Sequence, residues 1–147
     1  MGKRATSSIL LRLVSSFHTF LYRLTAGHFG RRLQGAPVLL LTVTGRKSGL
    51  RRTKPLLYLQ EGDDFVVVAS NGGQDWDPHW WTNLKANPSA EVQVGKRIVS
   101  VRAERANEEE RTRLWPLVTH MYSGYARYQK RTRREIPLVK LHPVDQS

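Results

Sequence analysis

The chain contains no cysteine. That absence excludes disulfides, thiolate-bound metal and a Cys nucleophile, and it agrees with a reducing cytoplasm. No stretch supplies the about 20 apolar residues that a membrane-spanning helix requires. The N-terminus, MGKRATSSILLRLVSSF, is basic and then apolar, but Arg12 interrupts the apolar core and no clear cleavage site follows, so no signal peptide is expected. The five histidines (18, 28, 79, 120 and 142) are scattered, and neither HExxH nor GxSxG nor GxxxxGK[ST] occurs. No metal centre is expected on that spacing. Acidic residues are scarce as well: 12 Asp and Glu stand against 24 Lys and Arg, a net charge of +12. Such a field attracts anions, whether nucleic acid, acidic lipid, or a phosphorylated or carboxylated ligand.

What is present suffices for one folded domain: 147 residues, 39% of them hydrophobic. Ile9, Leu13, Phe17, Phe20, Leu21 and Leu24 recur at helical spacing, with Ser7 or Ser8 to start the helix and Gly27 to end it. This amphipathic helix and a connector account for residues 1–36. It either packs on its own domain, lies on a membrane surface, or covers a ligand site. From Pro37 the pattern becomes that of strands, over 38–44, 52–60 and 65–70, with Glu61-Gly62-Asp63-Asp64 as a turn. AEVQVGKRIVSVRAER reads as a hairpin about a type II′ Gly95-Lys96 turn, and a last strand is expected near 136–141. Asp77-Pro78 looks like a helix start for the segment carrying Trp80, Trp81 and Leu84. Asn107 and Glu110 form a candidate capping box, and Pro116 should kink or restart the helix that follows. The expected fold is α+β, mainly β: residues 37–147 as a six-stranded antiparallel barrel with covering helices.

Three segments carry candidate chemistry. TGRKSGLRRTK follows the first apolar strand with five cations, Arg46, Lys47, Arg51, Arg52 and Lys54. Gly45 and Gly49 let its backbone bend close to a ligand, and Arg46 and Lys47 can grip a phosphate. The same residues also suit a solvated hairpin loop. VVVASNGGQDWDPHWWTNL ends a buried strand at Ser70 and leaves glycines that clear room for a flat ring; it equally suits a strand-to-helix loop with Trp80 and Trp81 in the core. MYSGYARYQKRTRR places Tyr122, Tyr125 and Tyr128 three apart, either lining an aromatic pocket or simply packed, with a cationic run after them.

Taken in order, PVLLLTVTGRKSG, PLLYL, VVVASNGG, PHWWTNLKANP, EERTRLWPLVTHMYSGYARYQ and IPLVKLHP resemble the deazaflavin-dependent nitroreductase family, enzymes that use reduced coenzyme F420. The resemblance spans nearly everything from Pro37 to Pro143. It implies a split β-barrel like that of flavin-binding reductases. It implies that Gly45, Arg46, Lys47, Ser48 and Gly49 cradle the coenzyme phosphate, with Lys54 and Pro55 alongside its ribityl arm. By the same resemblance Ala69, Ser70, Asn71 and Gly72 flank the ring, and Trp80, Asn83 and Lys85 close the site. Asn71 stands where some members carry Lys, and Trp76 has no counterpart role.

The implied reaction is hydride transfer to a planar, electron-poor acceptor: a quinone, nitroaromatic or enone. The tyrosines would line the substrate side, Tyr125 as main polar contact or proton donor before Tyr122 and Tyr128, with Ser70 holding the acceptor or ring. A protonated phenol can supply a proton to a developing oxyanion. The expected partners are that small molecule and an anionic membrane surface at the inner face of the cell membrane, reached through the N-terminal helix. Rival readings are an FMN-binding barrel, a membrane-surface protein without catalysis, and a nucleic-acid-binding module. Against the last, the aromatics lie in apolar contexts and no RNA-binding aromatic signature appears, so no nucleic acid is expected.

Overall fold

A computed structural model describes residues 32–33 and 36–144. The expected N-terminal helix over residues 7–27 lies outside the described residues. Among the described residues eight strands and three helices follow one another: β1 (Arg32–Leu33), β2 (Ala36–Thr44), β3 (Arg51–Leu57), β4 (Leu59–Glu61), β5 (Asp64–Val68), a 3-10 turn (Asn71–Gly73), α1 (His79–Ala86), β6 (Ser89–Val94), β7 (Arg97–Arg105), α2 (Glu108–Met121), α3 (Gly124–Arg131) and β8 (Leu138–Pro143). The strands form one antiparallel sheet in the order β1-β2-β6-β7-β8-β5-β4, with β3 on the other edge of β2.

Among the described residues the strand count is eight, not six. Arg32–Leu33, read as connector, pairs with Pro37 and Ala36. The segment expected as one strand over 52–60 breaks at Tyr58. Up to Leu57 it follows β2, and the Tyr58 amide still donates to the Pro37 carbonyl at 3.1 Å; from Leu59 it pairs with β5 instead. The chain therefore passes at Tyr58 from one side of the sheet to the other, which curls the sheet upon itself.

The curl creates two cores. Leu39, Leu41 and Val43 of β2 point inward with Phe65, Val67, Trp80, Trp81, Leu84 and Val92. Val66 and Val68 point outward beneath α2 and α3, against Leu114, Val118, Tyr125 and Ile136. β5 is buried on both faces, and this explains why its sequence is a continuous apolar run without alternation. Each wholly buried Leu or Val contributes about 1.5–3 kcal/mol by leaving water.

The hairpin β6–β7 joins Val94 to Arg97 across two residues. Gly95 has φ +60° while Lys96 does not enter the left-handed region, as a type II′ turn requires. Asn107 and Glu110 form a reciprocal capping box at 2.8 and 3.0 Å.

Two helix expectations need correction. Asp77 does not cap α1. Pro78 occupies the cap position in extended backbone, and the Asp77 carboxylate is drawn into ion pairs with Lys85 (2.7 Å) and Arg134 (3.1 Å). Pro116 neither breaks nor restarts α2, which runs through it to Met121. Pro116 sits on the exposed side, while Leu114 and Val118 hold the buried side against the sheet. Among the described residues no helix is long and apolar enough to cross a membrane.

Candidate functional site

β2 ends at Thr44, and the tight loop after it is closed by two main-chain bonds, Gly45 N–H to the Leu50 carbonyl and Gly49 N–H to the Gly45 carbonyl, both 2.8 Å. Gly49 has φ +71°, a left-handed conformation that favours glycine. A Cβ at Gly45 would meet Ser48 Oγ at 2.7 Å. The loop is also tied to α1: Asn83 Oδ1 accepts from the Arg46 main-chain N–H at 3.1 Å and from its Nη1 at 2.8 Å. Asn83 is buried, so its two acceptor bonds replace the water it gave up.

Against this loop lies a cavity of about 490 Å³, lined by Val43, Gly45, Arg46, Lys47, Ser48, Arg52, Lys54, His79, Trp80 and Asn83. Arg52 and Lys54 reach it because alternate residues of β3 share a face, beside Val43 and Leu41 of β2. Four cations thus face one concavity. Among the described residues none of the four belongs to an ion pair, whereas Arg51, Lys85, Arg113 and Arg134 are each matched to a carboxylate. Unmatched cations around a cleft are an anion-binding arrangement, and the donor set suits a phosphate or a chain of carboxylates.

The structure therefore gathers Gly45, Arg46, Lys47, Ser48, Lys54, Trp80 and Asn83 at one cleft. Arg52, noted in the sequence among the five cations of this segment but not assigned to the site, joins them through strand alternation with Lys54; His79 and Val43, which no sequence signal marked, join them too. Other expected residues lie elsewhere. Gly49 and Pro55 do not line this cavity. Lys85 is held by Asp77 and lies 5.8 Å from the Trp81 ring. Ala69 is buried in the inner core, and Ser70, Asn71 and Gly72 form the loop beyond β5. That loop takes three successive left-handed residues, Asn71 (φ +47°), Gly72 (+65°) and Gly73 (+83°). Trp76 projects from it, 62% exposed, and Asn71 Nδ2 donates to the Trp76 carbonyl at 3.1 Å.

The three tyrosines come together where α2 passes into α3. Tyr122 caps the end of α2, so the trio spans a helix junction and not one helix. Tyr122 meets Tyr125 edge-on at 4.9 Å between ring centres, and its hydroxyl pairs with that of Tyr128 at 3.2 Å. The Tyr128 hydrogen bond, and burial after it, raises the Tyr122 phenol above the ordinary value. Burial raises Tyr125 further, aided by both neighbours. Tyr122 and Tyr125 stay protonated at neutral pH on that account. This cluster adjoins the 71–73 loop: a Cβ on Gly73 would lie 2.7 Å from the Tyr128 carbonyl oxygen.

Residues 14–143 match the F420H(2)-dependent quinone reductase family. An F420H(2)-dependent quinone reductase of Mycobacterium tuberculosis (strain H37Rv) is 43% identical over 136 residues, 90% of this chain and 89% of that protein. A solved F420-H2 dependent reductase, FDR-A, is 39% identical with a TM-score of 0.67, covering 72% of this chain and 94% of its own. A chain solved as a domain-swapped dimer is 31% identical with a TM-score of 0.69, covering 97% and 100%.

Proposed function

The chain belongs to the F420H(2)-dependent quinone reductase family, and on that premise we propose how its residues divide the work. It is an oxidoreductase that depends on reduced coenzyme F420. When bound, the coenzyme supplies a hydride. The residues of the cavity, Arg46, Lys47, Arg52 and Lys54 with Gly45 and Ser48, hold its phosphate-bearing arm. Gly49 and Pro55 support that arm from the loop and from β3. Ala69, Ser70, Asn71 and Gly72 form the wall for the ring, and Trp80, Asn83 and Lys85 close it. Buried Trp80 and Leu84 keep water from this side.

The tyrosine cluster lines the acceptor side. A quinone is the acceptor that the family name favours; the same surface suits nitroaromatics and enones. Tyr125 holds its proton on the phenol oxygen through neutral pH and is the first candidate to hydrogen-bond the acceptor oxygen, with Tyr122 and Tyr128 beside it. We infer also that the curled sheet is a split barrel, with β3 and β4 as the halves of one bent strand and the two-residue β1 outside the barrel, which makes six barrel strands. Residues 1–36 would bring the enzyme to the inner face of a membrane, where lipid quinones reside; the support is the apolar stripe from Ile9 to Leu24 flanked by Arg12 and Arg23.

The observation that carries the coenzyme reading is the set of four unmatched cations on one cavity. Fluorescence titration of the coenzyme against the protein and against the Arg46→Ala, Lys47→Ala double variant tests it. Loss of two charge-assisted contacts should weaken binding by about a hundredfold. Unchanged affinity in the double variant overturns the cradle.

A further inference from the structure

The connection from β5 to α1 has no ladder or long helix to fix it, yet it runs through three left-handed residues. One side chain ties it at four points. Arg134, from the segment before β8, donates Nη2 to the carbonyls of Ser70 (3.0 Å) and Ala69 (3.3 Å), Nε to the carbonyl of Gln74 (2.8 Å), and Nη1 to Asp77 Oδ1 (3.1 Å). One planar fork thus spans both ends of the loop. The fork is itself held. Its side chain is only 17% exposed, its own carbonyl accepts from Gln129 Nε2 at 2.8 Å, and its amide donates to Thr132 Oγ1 at 3.3 Å. Thr132 in turn donates to Asp75 Oδ1 at 2.8 Å, and Gly73 rests against the backbone of Tyr128.

We propose that Arg134 is a positioning residue for the coenzyme: it sets the carbonyls of Ala69 and Ser70, and with them the ring-facing loop, at a fixed distance from the tyrosine cluster. The inference rests on the reading that the 69–72 loop flanks the coenzyme ring. Ala69, Ser70 and Gln74 are main-chain acceptors, so no side-chain substitution in the loop reproduces the effect. A lysine cannot replace the guanidinium, because an ammonium point charge cannot serve four acceptors lying in one fan. Arg131, whose guanidinium lies 5.6 Å from the Tyr128 ring and 3.5 Å from the Gly72 carbonyl, is a more exposed and weaker companion.

The test compares wild type, Arg134→Lys, Arg134→Met and the Arg46→Ala, Lys47→Ala double variant. Amide exchange is followed in the coenzyme-free proteins, coenzyme affinity by fluorescence, and acceptor KM and kcat at saturating coenzyme. Faster exchange at residues 71–74 with β2 and β6 unchanged is expected in both Arg134 variants. Coenzyme affinity should fall about tenfold in the methionine variant and by a smaller factor in the lysine variant, while acceptor KM stays put. Should the methionine variant fail to fold, the lysine variant, which retains charge beside Asp77, carries the same test. Accelerated loop exchange with wild-type coenzyme affinity overturns the role of Arg134. Failure of the cradle reading has a different signature: the double variant binds like wild type, or wild type binds no coenzyme, and the latter outcome removes both.

Discussion

Asn83 binds Arg46 twice through one oxygen, at 3.1 Å to the main-chain N–H and 2.8 Å to the guanidinium. The pair joins the basic loop to α1 across 37 residues of sequence. It makes the loop's shape independent of a bound anion. An arginine already oriented loses less freedom on gripping a phosphate than one that samples solvent.

Asn83→Leu should therefore act on both stability and ligand affinity. Two bonds disappear, one of them to a charged donor, so about 1–3 kcal/mol of stability is expected to go. Coenzyme affinity should fall about tenfold because the guanidinium is no longer preset. Chemical denaturation and coenzyme fluorescence measure the two. Full affinity in a destabilised Asn83→Leu protein would show that Arg46 needs no preorganisation.

The two neighbouring glycines beyond β5 should respond differently to alanine. Both have positive φ, +65° at Gly72 and +83° at Gly73. Around Gly72 there is open space, so Gly72→Ala should cost about 1 kcal/mol, the left-handed penalty alone. At Gly73 the new methyl would lie 2.7 Å from the Tyr128 carbonyl oxygen and 2.9 Å from its Cα. Backbone atoms cannot swing aside, so Gly73→Ala should cost about 2–4 kcal/mol. Equal losses in the two variants would argue that α3 yields easily.

The tyrosine cluster gives an alkaline signature. Tyr122 and Tyr125 both have phenols raised above 10.0, Tyr122 chiefly by its bond to Tyr128 and Tyr125 chiefly by burial. A raised value in the folded state favours the neutral form. The corresponding stability is complete below the unfolded value near 10 and is lost as pH climbs toward the folded values. Near-ultraviolet absorbance should show two phenols titrating late, together with unfolding. For turnover, the donor remains protonated across the neutral range, so the alkaline limb of kcat should stay flat to about pH 9. Tyr125→Phe should lower kcat more than coenzyme affinity; the reverse order would remove Tyr125 from the acceptor side.

Much of this arrangement was legible in the sequence. The apolar run of β2, the Gly95-Lys96 turn and the Asn107–Glu110 box are local patterns, and local patterns fix local structure. The basic loop announced itself by charge, and its companion segments by resemblance. The rest depends on contacts that periodicity does not encode. Arg134 reaches Ala69 across 65 residues, and nothing in TRREIP separates it from the solvated arginines beside it. Asp77 looked like a helix cap because Asp-Pro often is one, but two cations outcompeted the helix amides for its carboxylate. Pro116 was expected to kink or restart a helix that instead runs on to Met121, its buried side, Leu114 and Val118, anchored strongly enough to carry it through. Tyr58 breaks a strand because the sheet must curl there, a requirement of topology and not of residue preference.

Acid should expose one further joint. Glu110 caps α2 through Asn107 and also pairs with Lys140 of β8, whose side chain is only 10% exposed. Its carboxyl is held below its ordinary value near 4.5, first by the Lys140 hydrogen bond and then by the Asn107 amide. A depressed carboxyl contributes stability that is present above pH about 4.5 and is lost as pH falls through its folded value. The thermal midpoint should drop over that acid window, and Glu110→Gln should flatten the drop. Glutamine can still accept from the Asn107 amide, so the cap survives, but Lys140 is left buried without its counter-charge. Glu110→Gln should thus be costly at pH 7, about 2–4 kcal/mol. Lys140→Met should cost less, because Glu110 keeps its amide donor and its side chain is 21% exposed to water. If the methionine variant is the less stable of the two, the stranded Glu110 carboxylate costs more than the stranded Lys140 ammonium, and the greater burial of Lys140 does not decide the balance.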